Sequence, residues 1–252
     1  MEKISILYYS GVGNTKTIAK RMNCYLKNKN DVDMYSIEEL PKDFKFDIYS
    51  RVIIGFPTIH SAPASLMVDF IQKVNSTNKK IPVFVYTTCG LYSGNAIRIF
   101  CKLLICKNMI PVYTSSYRCP AVDGILLMPN IKQWYNYEKG LSFKIKKDLD
   151  QFIGMEKFIE KIPKFKWYSA LNFPNKVFGQ HMKFKIYLHK ENCTSCGLCI
   201  KKCPVKACKN DENGIVLVDS DNCVNCYRCI HHCPQRALSL SKRKIPSKVL
   251  IH

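Results

Sequence analysis

Cysteine placement constrains this chain more than any other feature. Cys193, Cys196, Cys199 and Cys203, followed by Pro204, spell C-x2-C-x2-C-x3-C-P, and Cys223, Cys226, Cys229 and Cys233, followed by Pro234, spell it again thirty residues later. Flanking residues repeat at the same offset: Asn192 with Asn222, Ile200 with Ile230 and Ala207 with Ala237, the mark of an internally duplicated unit. Three cysteines at this spacing wrap the backbone around three corners of a 4Fe-4S cube, while the fourth, before proline, points to the neighbouring cube. The expected ligand sets are therefore crossed. One takes Cys193, Cys196, Cys199 and Cys233; the other takes Cys223, Cys226, Cys229 and Cys203. Structural zinc also uses C-x2-C, but as two separated pairs rather than a run of four ending in proline.

The other six of the 14 cysteines (Cys24, Cys89, Cys101, Cys106, Cys119 and Cys208) are scattered, with Cys208 read as buried in part and unligated. A disulfide scaffold would be shorter and spread its cysteines more evenly, so a reducing, cytoplasmic setting is expected. A strand-like Ile4–Tyr9 starts almost at once without a basic leader, and no apolar run reaches membrane-spanning length. The 252 residues, 47% of them apolar, suffice for one medium and one small domain. A formal charge of +20 reads mainly as solvated surface. No segment concentrates Arg with aromatics as a nucleic-acid binder would.

Residues 1–116 alternate strand-length apolar runs with segments of helical period, the pattern of a doubly wound α/β sheet. Expected strands are Lys3–Tyr9, Val32–Ile37, Arg51–Gly55, Ile81–Thr87 and Met109–Ser115; expected helices span about Thr15–Lys27, Ala64–Val74 and Asn95–Lys107. Residues 117–140, with Pro120, Gly124, Pro129 and Gly140, read as a long functional loop, and Phe143–Ile162 as a helix stopped by Pro163. Aromatics of the connector around Lys164–Lys185 (Phe165, Trp167, Tyr168, Phe173 and Phe178) are expected to pack between domains. The division is 1–162, a connector at 163–183, and 184–252.

The first strand runs into Ser10-Gly11-Val12-Gly13-Asn14-Thr15 and directly into a helix, which aims backbone N–H groups and the positive helix end at an anion, with the Ser10 and Thr15 hydroxyls as further donors. It is not a Walker loop, which closes with Gly-Lys-Ser/Thr, nor a dinucleotide fingerprint, which wants glycine where Lys16 stands. Leu7–Ala19 resembles the signature of the flavodoxins, in which such a loop cradles the phosphate of FMN, and the strand alternation fits their 2-1-3-4-5 order. The resemblance implies two further ligand loops: Pro57, Thr58, Ile59 and His60 after the third strand, and Thr87, Thr88, Cys89, Gly90, Tyr92 and Gly94 after the fourth, bracketing the isoalloxazine ring. Two departures stand out. Val12 sits where these loops commonly carry Thr, and neither ring-side loop has a Trp.

Residues from about Phe184 to Lys242 resemble the bacterial two-cluster ferredoxins, small α+β domains. The whole chain is similar to flavodoxin-ferredoxin fusion proteins of anaerobic bacteria and archaea. That resemblance implies an iron-sulfur flavoprotein relaying electrons between an external redox partner, two 4Fe-4S clusters and FMN, with the basic surface steering an acidic partner. The alternative is an FMN-dependent oxidoreductase reducing an organic substrate beneath the 117–140 loop, where Lys132, Tyr135 and Lys139 would meet an anion. No catalytic acid or base is assigned.

Overall fold

Apolar strands separated by amphipathic helices build one parallel sheet in the N-terminal half. The structure is a computed structural model describing residues 1–127, 130–131, 136–167, 185–212 and 214–242. Strands β1 (Lys3–Tyr8), β2 (Asp31–Ser36), β3 (Arg51–Ile59), β5 (Ile81–Cys89) and β6 (Met109–Arg118) lie side by side in the order β2-β1-β3-β5-β6, each neighbouring pair parallel. Counted among the long strands this is the expected 2-1-3-4-5. The addition is β4 (Ala62–Pro63), which pairs antiparallel with the end of β3.

Side chains alternate between two apolar layers, as the pleat requires. Leu7, Val52, Ile54, Phe56, Val83 and Val85 face one layer, closed by α2 (Ser65–Lys73) and α3 (Ala96–Ile105). Ile4, Ile6, Ile53, Phe84 and Tyr86 face the other, closed by Ile18, Ala19 and Met22 of α1 (Asn14–Leu26) and by Leu141, Ile145, Leu149 and Phe152 of α5 (Leu141–Ile153). Each Val, Ile or Phe fully buried here contributes about 1.5–3 kcal/mol, which is why the central strands read as unbroken apolar runs.

Several expectations need correction. Strands β3, β5 and β6 continue past their expected ends, so much of both ring-side loops is strand. Helix α5 ends at Ile153, nine residues short of the expected stop. Arg51, buried beside it, donates to the Phe152 carbonyl (2.9 Å) and the Met155 carbonyl (3.1 Å), satisfying its last turn, and Lys161 N–H then bonds to the Pro111 carbonyl (2.7 Å). The presumed loop at 117–140 instead continues β6 to Arg118 and forms α4 (Val122–Leu127). In the connector, Phe165 and Trp167 are 61% and 71% exposed rather than packed between domains; Tyr168, Phe173 and Phe178 lie outside the described residues.

The C-terminal half is small. Antiparallel pairs β7 (Tyr187–Leu188) with β10 (Leu238–Ser239) and β8 (Cys208–Asn210) with β9 (Val216–Val218) accompany two short helices, α6 (Leu198–Lys202) and α7 (Arg228–His231). Helix α4 joins the halves. Its Val122 packs against Val12 and Ile125 on one side, and Val122 and Leu126 pack against the core of Ile186, Tyr227, Ile230 and Leu238 on the other. The ring of His231 completes the contact through a hydrogen bond between Nε2 and the Val122 carbonyl (3.1 Å).

Candidate functional site

Glycines set the loop at the end of β1. Gly13 takes φ +107°, a conformation L side chains rarely adopt, and its N–H donates to Ser10 Oγ (3.0 Å). The first turn of α1 closes with Thr17 N–H on the Gly13 carbonyl, so the N–H groups of residues 14–16 precede the intrahelical ladder and face outward at the positive helix end. The loop is held from beneath. Gly55 lacks a Cβ that would lie 2.0 Å from the Tyr86 ring, and Tyr86 uses that room to donate its hydroxyl to the Thr15 carbonyl (3.2 Å). The Thr15 and Thr88 hydroxyls bond each other at 2.8 Å, joining the loop to the end of β5.

Above this loop lies a recess open to solvent and walled by three loop segments. It gathers Ser10, Gly11, Val12, Asn14 and Thr15 from the first loop, Pro57, Thr58, Ile59 and His60 from the second, and Thr88, Cys89 and Gly90 from the third. Gly13, Thr87, Tyr92 and Gly94 are not among its lining residues; Thr87 instead donates to the Phe56 carbonyl (2.8 Å), and Tyr92 is 41% exposed. His60 and Ser61, both at positive φ, turn β3 back into β4, with Ile59 opposite Ala62. The Asn14 side chain points away from a ligand role: its Nδ2 donates to the Pro120 carbonyl (2.8 Å) and its Oδ1 accepts from Tyr137 (3.2 Å). Burial pushes the Cys89 thiol up to about 11 and Cys119 higher still, so both remain protonated at neutral pH.

Sequence reading missed one side of this recess. Cys119, Pro120, Val122 and Asp123 line it from the start of α4, and Asn225, Cys226 and Tyr227 line it from the cysteine-rich half. Tyr227 is 4% exposed, and its hydroxyl is buried without a hydrogen-bond partner. A signal was available: Tyr227 occupies the place of Gly197 in the repeat, and both adopt positive φ (+56° and +70°).

The eight repeated cysteines divide between two further recesses. One is lined by Cys193, Cys196, Cys199 and Cys233; the other by Cys203, Cys223, Cys226 and Cys229, with Cys208 beside them. Each recess thus collects three cysteines of one motif and the fourth of the other. The hydrogen bonding is duplicated as well. Ala207 N–H donates to Cys203 Sγ and Ala237 N–H to Cys233 Sγ, both at 3.2 Å, and the Cys-Pro turns close through Lys206 N–H to Cys203 O and Arg236 N–H to Cys233 O. Among the described residues no group of His, Cys, Asp or Glu is drawn together around a single metal ion. The wider thiol sets fit a cube, with backbone donors in place on one sulfur of each. The flavin reading meets a similar fit: open N–H groups at a helix start, a recess lined by all three expected loops, and an unpartnered buried phenol at its wall.

Comparison with known proteins finds two kinds of domain in the chain. Residues 5–98 match the flavodoxin domain family, and residues 185–243 match the 4Fe-4S dicluster domain family. Among solved structures, flavodoxin 1 from Bacillus cereus is 16% identical and has a TM-score of 0.47, covering 62% of this chain and 99% of its own. The flavin mononucleotide-bound flavodoxin of Fusobacterium nucleatum is 14% identical with a TM-score of 0.40, covering 60% of this chain and 99% of its own. No curated protein sequence matches the chain. Among the described residues, no helix is long and apolar enough to cross a membrane. The flavodoxin domain implies FMN and the dicluster domain implies iron-sulfur clusters, and together the two matches correspond to the arrangement of a flavodoxin-ferredoxin fusion and support an electron-transfer flavoprotein.

Proposed function

We propose that this chain relays electrons between an external redox partner, two 4Fe-4S clusters and FMN. Bound clusters supply one-electron exchange and FMN one- or two-electron exchange; the protein supplies their order and surroundings. The observation that carries the reading is a shared wall: Cys226 and Tyr227 line both the large recess and the cysteine recess beside it. Flavin site and inner cluster site are neighbours. The outer recess lies toward solvent, with Thr194, Ser195, Cys196 and Gln235 exposed on its rim.

In this reading Cys223, Cys226, Cys229 and Cys203 hold the inner cluster, and Cys193, Cys196, Cys199 and Cys233 the outer one. Residues 10–15 receive the FMN phosphate, residues 57–60 and 88–90 border the ring, and the domains run 1–162 and 184–252 about a connector. Lys190 and Lys201 are exposed near the outer motif in sequence, and the net charge of +20 suits an acidic partner at that end. For the alternative of substrate reduction, Lys132 and Tyr135 lie outside the described residues and Lys139 is exposed, so no observation favours it.

The test is anaerobic purification with iron, sulfide and flavin counted per chain, followed by rapid mixing with a chemically reduced ferredoxin. The expected outcome is two clusters and one FMN per chain, with flavin absorbance bleaching on mixing without any organic substrate. A chain that holds clusters but exchanges no electrons with its flavin would sink the relay.

A further inference from the structure

We propose that the cluster-bearing half supplies a fourth segment of the flavin site, in which Arg228 positions the phosphate loop and Tyr227 gives the recess its aromatic wall. This rests on reading the large recess as the FMN site.

Arg228 crosses the boundary between the halves. Its Nε donates to the Gly11 carbonyl (2.9 Å) and its Nη2 to the Ser10 carbonyl (2.9 Å), while Nη1 and Nη2 bond the two carboxylate oxygens of Glu38 at 2.7 Å each. Two consecutive carbonyls of the phosphate loop are thereby turned toward a cation on the outside of the loop. Peptide planarity then turns the N–H groups of residues 11 and 12, which share those peptide units, the opposite way. The approach is close: a Cβ added to Gly11 would lie 3.1 Å from the Cys226 carbonyl oxygen and 3.4 Å from its Cβ. Charge-assisted, bidentate bonding of this kind fixes orientation as well as distance. Val12 removes a hydroxyl from the loop, so its anion affinity depends more heavily on how its backbone is held.

Tyr227 meets a second deficit. The ring-side loops carry no Trp, and Tyr92 is not among the lining residues. Tyr227 is instead buried at the wall, its hydroxyl unpartnered. A tyrosine at φ +56° sits where the matching position of the first motif has glycine. Left-handed backbone is costly for a non-glycine residue, a cost that persists where the side chain has a task.

The two roles separate with riboflavin, which lacks the phosphate. FMN and riboflavin affinities are measured by fluorescence quenching on the anaerobic full chain, with iron content and cluster absorbance recorded for every variant. Arg228→Gln is expected to weaken FMN about tenfold and leave riboflavin unchanged, as for loss of a charge-assisted contact acting through the loop. Tyr227→Leu, which keeps bulk and backbone strain, is expected to weaken both ligands roughly fivefold. Should Arg228→Gln lose the inner cluster, Glu38→Ala in the flavodoxin half provides the second reading, with FMN alone weakened a few fold. The proposal is overturned if FMN affinity survives in all three variants, or if Arg228→Gln and Glu38→Ala weaken both ligands equally. A parent chain that binds neither ligand would instead remove the flavin reading of the recess on which the proposal stands.

Discussion

The two cysteine recesses come from one duplicated motif, yet they sit in different surroundings. In the outer one Cys196 is exposed and is followed by Gly197, with nothing within 4 Å of where a Cβ would stand. In the inner one Cys226 is followed by a buried Tyr227, Cys229 is buried, and Gly11 of the other half presses against the Cys226 backbone. Backbone angles and N–H to sulfur bonds are nearly the same in both. Duplication preserved what folds the motif, and among the positions that diverged are two that meet the other half, Tyr227 and Arg228 in place of Gly197 and Leu198. A repeat is informative where it fails to repeat.

The most severe test of this asymmetry exchanges ligands. Cys226→Ser is expected to remove about half of the iron and most of the bound flavin, whereas Cys196→Ser removes about half of the iron and leaves the flavin, because only the inner recess shares a wall with the flavin recess. Iron and flavin counts on anaerobic preparations decide it; equal flavin loss in both variants would abolish the distinction. Next comes the crossing. Cys196→Ser combined with Cys233→Ser should spare one cluster, while Cys226→Ser combined with Cys233→Ser should impair both, as read by magnetic resonance of the reduced protein. The reverse pattern would mean that each motif serves its own cube.

A smaller effect is expected at the phosphate loop. Ser10→Ala with Thr15→Ala should weaken FMN by about 1.5–3 kcal/mol for each charge-assisted bond lost, with both clusters intact; unchanged flavin retention on dialysis would place the phosphate elsewhere. Smallest is Gly197→Ala. No atom lies within 4 Å of the added methyl, so only the left-handed backbone at φ +70° resists it. A loss of about 1 kcal/mol in thermal stability is expected, with no change in flavin binding; a larger loss would reveal a packing role for that turn.

Much of this was legible before the fold. A parallel sheet followed from apolar runs alternating with helical periods, its strand order from the resemblance to flavodoxins, and the sorting of thiols into crossed sets was expected from C-x3-C-P spacing. Less legible were features set by distant partners. Helix α5 stops at Ile153, where Arg51, a hundred residues earlier, takes the carbonyl of Phe152 inside the helix and that of Met155 just beyond it. No local signal announces that. Helix α4 is only Val122–Leu127, too short for a clear period, and owes its place to apolar contacts with both halves. The bonds of Arg228 to Ser10 and Gly11 span almost the entire chain, beyond the reach of any periodicity. Exposure of Phe165 and Trp167 shows the opposite failure, in which aromatic character suggested burial that the connector does not provide.

The core of the C-terminal half is meagre: Ile186, Tyr227, Ile230 and Leu238 with the thiols of Cys208 and Cys229, framed by strands of two or three residues. Burial on this scale does not hold a domain of fewer than 70 residues by itself, and metal-thiolate bonds serve as the staples. Exposure to oxygen then becomes a question of durability as much as of redox state. A chain that loses its cubes surrenders the scaffold as well as the current, and the damage is expected to register first as proteolytic susceptibility after residue 184.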